Sequence, residues 1–149
     1  MALNYRPIKS IIPAEGLRLV LLKGYPSPWG QAAKAMMEYE DLPFIAGAIE
    51  AGQPNEELKA WAGVNSAPVV AANSSPPINR WNDILLLLEE LSPNKPLIPT
   101  EPDLRVQFWG IAHAICAADG FGWNRRLDGL HRGAKVGFNP GRFGKKYGY

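Results

Sequence analysis

One cysteine, Cys116, stands among the 149 residues, so no intrachain disulfide can form, which agrees with a reducing compartment. With no C-x-x-C pair and no cysteine at the start of a candidate first helix, thioredoxin- or glutaredoxin-type exchange is disfavoured. Long apolar runs are lacking too. The longest strongly apolar stretch, residues 84–88, is far too short to span a bilayer. The opening MALNYRPIKSIIPAEG holds no apolar run long enough for a signal-peptide core. A soluble cytoplasmic protein with no membrane partner is the expectation. Histidine is scarce: His113 and Cys116 lie three apart on a candidate helix, and two ligands alone make no metal site. No metal is expected, and helix packing is the expected role of this pair. Internal repeats are absent.

Apolar residues make up 46% and charged residues 20%, an ordinary balance for a globular chain able to bury a core. The net charge is only +2 but unevenly spread: from Arg125 onward seven basic residues face one acid, Asp128. Such a segment is more often a solvated face than a nucleic-acid site. The final GRFGKKYGY mixes glycine, basic and aromatic residues as single-strand RNA binders do, yet it is one short run, and nucleic acid is not the expected partner.

Residues 17–22, LRLVLL, read as a strand buried on both faces except at Arg18. A turn through Tyr25 leads into a helix over residues 28–40, with Trp29, Ala32, Ala33, Met36 and Met37 forming its apolar stripe. Ser27 is a natural N-cap, and Pro28 suits the first helical position. Asp41 and Pro43 close the helix, and residues 44–49 form a weaker strand, completing a strand–helix–strand unit of the kind that builds parallel pairs. Asn55 caps a short helix through Trp61. Residues 66–71 read as a strand entered through Pro68. Turn residues 73–77 precede an apolar helix over residues 81–91, whose continuous run at 84–88 predicts deep packing against the sheet. Four prolines in SPNKPLIPTEP, residues 92–102, mark a stiff linker. Asp103 is expected to cap a further long helix that ends near Asp119-Gly120, with Leu104, Phe108, Ile111, Ala112 and Ile115 on one face.

This order of elements, from Leu17 to Leu130, resembles the glutathione S-transferase superfamily. Ser27-Pro28-Trp29 is similar to the Ser-Pro-aromatic helix start of its serine-type members. Ala67-Pro68-Val69-Val70 resembles the strand entered through a cis-proline, and Pro77-Ile78 before Ile84-Leu85-Leu86-Leu87-Leu88 resembles the last strand and third helix of the first domain. The resemblance implies an α/β thioredoxin-like domain over residues 17–91 after a lead-in of residues 1–16. The linker and an incomplete all-α domain over residues 103–149, with a basic Gly-rich tail, would follow. It also implies glutathione as co-substrate, conjugation of its thiolate to a small electrophile, and pairing as a homodimer.

On that resemblance Ser27 is the catalytic residue, its hydroxyl donating to the glutathione sulfur. The positive end of the helix dipole favours the same anion, and thiolate is the nucleophile. Pure capping explains Ser27 equally well. Ala67 and a cis-Pro68 would dock the peptide backbone of glutathione, with Tyr25, Trp29, Arg80 and Trp81 completing the substrate-binding set. One departure stands out. Family members that bind glutathione carry a Glu/Gln-Ser pair at the start of the third helix, where this chain has Arg80-Trp81. A guanidinium reverses the charge offered to the ligand's ammonium, but its planar fork suits a carboxylate. The alternative is a non-catalytic module of the same fold that has lost glutathione binding and serves a protein partner.

Overall fold

The computed structural model describes residues 3–24 and 27–137. Its elements are α1 (Ile8–Ile11), β1 (Leu17–Leu22), α2 (Pro28–Tyr39), β2 (Phe44–Ile49), α3 (Glu56–Ala62), β3 (Val69–Ala72), α4 (Trp81–Leu91), α5 (Pro102–Cys116) and α6 (Phe121–Lys135). The chain divides into two compact units, Met1–Leu97 and Ile98–Tyr149, with the division inside the proline-rich segment.

In the first unit the sheet order is β2-β1-β3. β1 pairs with β2 in parallel and with β3 antiparallel, Val20 facing Val69 and Leu17 facing Ala72. Because side chains alternate along a strand, β1 feeds two cores. Leu17, Leu19 and Leu21 pack with Ala33 and Met37 of α2 and with Ile84 and Leu88 of α4. Val20, on the other face, joins Ile8 and Ile11 of α1, Leu58 of α3 and Val69. This two-sided burial explains the nearly unbroken aliphatic run. Arg18 shares the face of Val20 and is 3% exposed.

α2 starts with Pro28 at its first position, where the missing N–H is no loss. It ends in a Schellman arrangement: Asp41 adopts φ +56°, and the Leu42 N–H donates to the Met37 carbonyl at 2.9 Å. α3 follows Asn55, which has φ +47° and makes no side-chain cap bond. Its amide instead donates to the Glu50 and Gln53 carbonyls and to Asn65. In α4 the deep packing predicted for residues 84–88 holds for Ile84, Leu85 and Leu88, whereas Leu86 is exposed. A helix turns every 3.6 residues, so five consecutive positions cannot all face one sheet.

The strand expected at Pro77-Ile78 is reduced to one antiparallel bridge, with Ile78 and Val70 exchanging both backbone hydrogen bonds at 2.8 Å. Pro76 and Pro77 have no N–H to extend that ladder. The lead-in contains α1 and a bridge from Arg6 to Gly47.

In the second unit, Glu101 rather than Asp103 caps α5. Pro102 takes the first helical position, so the Glu101 carboxylate reaches the N–H groups of Asp103 and Leu104. α5 ends at Cys116, three residues earlier than expected, and α6 follows. Gly120 sits in the turn between them, where a Cβ would come within 2.9–3.0 Å of the His113, Ala114 and Ala117 carbonyl oxygens. No residue of α5 or α6 is buried. Among the described residues, no helix is long and apolar enough to cross a membrane.

Candidate functional site

The register carries the sequence-selected residues to one end of the sheet. β1 leads out through Leu22 toward Ser27 at the N-cap of α2. Since Val20 faces Val69, Pro68 lies beside that same outgoing end of β1. The antiparallel bridge between Val70 and Ile78 extends the register so that residue 80 falls level with residue 68. Arg80 is the exposed N-cap of α4, and Trp81 is its first residue. Two helix N-termini and the entry to β3 thus share one edge of the domain. Tyr25 lies outside the described residues, as does the tail from residue 138 onward.

Ser27 has an extended backbone, φ −68° and ψ 129°, and its carbonyl accepts from Gln31 N–H at 2.8 Å. Its side chain makes no cap hydrogen bond, contrary to the capping expectation. Pro28 leaves the first turn with one donor fewer, and the N–H groups of Trp29 and Gly30 head the helix. Gly30 is buried, and a Cβ there would meet Leu21 Cδ2 at 3.0 Å. Close approach to β1 therefore fixes where this helix terminus points. The Ala67–Pro68 peptide bond is cis. Ala67 is half-buried and Pro68 buried.

Arg80 makes no side-chain cap bond either, and its carbonyl accepts from Ile84 N–H at 3.0 Å. A cation at a helix N-terminus is unfavourable with the helix dipole. Asp83 in the same turn has the helpful sign. The Arg80 side chain therefore gives no support to the helix that carries it, and its charge is left facing solvent at the shared edge.

The two cavities described here lie elsewhere. One, of about 410 Å³, is lined by residues that include Leu3, Arg6, Glu38 and Phe44. The other, of about 550 Å³, involves Arg18, Trp61 and Asn73, at the far end of the sheet from Ser27. In the sequence Arg18 interrupts an apolar strand, a lone arginine among residues buried on both faces. In the second unit, burial raises the Cys116 thiol above its ordinary pKa, which disfavours thiolate there.

No family model matches the sequence, and no curated protein matches it. Solved structures do. An omega-class glutathione transferase (1C) from Trametes versicolor aligns with 68% of this chain and 47% of its own length, at 17% identity and a TM-score of 0.59. A tau-class enzyme from mango, Mangifera indica, aligns with 78% of this chain and 58% of its own, at 19% identity and a TM-score of 0.55. A glutathione S-transferase from Methylobacterium radiotolerans, in complex with glutathione sulfonate, aligns with 67% of this chain and 48% of its own, at 23% identity and a TM-score of 0.53. The chain spans about half the length of these proteins. It has the fold of the glutathione S-transferase superfamily: a thioredoxin-like α/β unit followed by helices.

Proposed function

We propose that this chain is a glutathione-transferase-like protein of the serine type that directs the glutathione thiolate onto a small electrophile. Ser27 donates to the sulfur, and Ala67 and Pro68 dock the peptide backbone in the manner of an added strand. Arg80 contacts a carboxylate of the ligand, with Trp29 and Trp81 walling the site. The observation that carries this reading is the convergence of Ser27, Pro68 and Arg80 on one sheet end, with the Ser27 hydroxyl unused as a helix cap. Glutathione bound to structures of the same fold, including a transferase homologue from Sulfitobacter, supports the choice of ligand.

A hydrogen bond to a charged group is worth about 1.5–3 kcal/mol. Ser27→Ala is therefore expected to lower conjugation rates by roughly 10- to 100-fold. The same change should cost under about 0.5 kcal/mol of stability, because no cap bond is lost. Titration calorimetry with glutathione and S-hexylglutathione tests the binding step. Saturable heat that weakens in Ser27→Ala and Arg80→Glu supports the proposal. No heat at millimolar ligand with a folded chain overturns it. The Arg80-Trp81 pair favours a second reading, a non-catalytic module of this fold that binds a protein partner, and that null result would select it.

A further inference from the structure

Arg18 is 97% buried, and among the described residues no carboxylate stands within ion-pair distance of it. Its guanidinium donates to the Ile12 carbonyl at 2.7 Å and to the Asn73 carbonyl, and its Nε–H has no partner among the described residues. The indole of Trp61 covers it, with the guanidinium carbon 5.5 Å from the ring centroid. Two carbonyls satisfy hydrogen bonds but leave a full positive charge in a poorly solvated place. Burial without a counter-charge is costly, and it holds the Arg18 pKa below its ordinary value.

This side chain lines the cavity of about 550 Å³, together with Ile12, Pro13, Trp61 and Ser74. Asn73, at its edge, has φ +48° and fixes the loop by accepting from Gly16 N–H through its side chain at 3.0 Å. The walls are thus apolar on the side of Ile12, Pro13 and Trp61, and polar on the side of Arg18 and the serine loop. Glu15 stands exposed at the rim. Its charge disfavours a dianion and leaves room for a single negative charge. We infer that this cavity binds a small monocarboxylate with a flat apolar body, its carboxylate held by Arg18 and its body against Trp61. The site is separate from the Ser27 edge: Asn73 follows Ala72, which faces Leu17, whereas Pro68 lies beyond Val20 at the opposite end of β1.

Benzoate is the probe, and its neutral isostere benzamide is the control, titrated into the full chain and followed by amide chemical shifts. Benzoate should move the Gly16, Asn73, Ser74 and Trp61 signals saturably in the millimolar range, and benzamide should bind at least tenfold more weakly. Glu15→Gln should tighten benzoate several-fold by removing the rim charge. Arg18→Met should abolish the response, but it also unties two loops and can unfold the chain. Ser74→Trp, at an exposed position, fills the mouth without touching the Arg18 bonds and should abolish it in a folded protein. Equal binding of benzamide, a response that survives Ser74→Trp, or no response from the folded parent each overturns the inference. Signals near Ser27 and Ala67 report on the other edge, so the two sites stand or fall independently.

Discussion

Glu40 is 5% exposed, and among the described residues neither of its carboxylate oxygens has a hydrogen-bond partner. Burial raises its pKa, the neighbouring Glu89 carboxylate raises it further, and Lys95 opposes both. In the unfolded chain it titrates near ~4.3. Between that value and the raised folded one, the folded state holds more protons, so stability falls as pH rises through the interval and stays reduced above it. Glu40→Gln should therefore match the parent near pH ~4 and exceed it progressively toward neutral pH, read as the urea midpoint across a pH series. Arg18 is the matching case of opposite sign, a buried cation tying Ile12 to Asn73. The sequence displayed both residues, and its pattern marked Arg18 as an oddity. Nothing in it said that Glu40, at the polar end of a helix, would point inward, because burial at a helix end depends on what packs over it.

Elements with long apolar periods were legible. β1, α2, β2 and α4 were expected within a residue or so of where they lie, since each buries a face whose spacing is written in the chain. The missed elements are harder to read. α1 is four residues long, too short for a period, and α6 buries no residue and contains Gly122, Gly129 and Gly133, whose low helix propensity masks the stripe of Trp123, Leu127 and Leu130. The α5 cap was misplaced by two residues because Asp103 was read without the constraint that Pro102 sets on its neighbours. α1 also explains a glycine. A Cβ on Gly47 of β2 would lie 2.5 Å from Ile11 Cδ1 and 3.3 Å from Ile8 Cδ1, both buried. Gly47→Ala should cost about 1–3 kcal/mol through overpacking, and pairing it with Ile11→Val should recover part of that loss. Thermal unfolding of the two variants checks this.

Both apolar clusters draw on residues of Met1–Leu97 alone. A chain of residues 1–97 should therefore unfold cooperatively, as followed by circular dichroism in urea. The segment Ile98–Tyr149, whose helices bury no residue, should be only marginally helical when made alone. Of the candidate site, its location followed from element order, because a sheet of this topology returns helix starts and the β3 entry to one edge. The second cavity did not, since residues 12–15, 18, 61 and 73–75 meet only through the register of β1 with β3 and the placement of α3.

The hydroxyl of Ser27 takes no part in holding α2, and that has an evolutionary consequence. A residue that carries both chemistry and architecture is locked, since any exchange damages both at once. Position 27 is released from the second duty. On the role proposed for Ser27, a lineage that trades it for alanine or cysteine would lose or change that chemistry in a single step, with little effect on folding, while the scaffold persists.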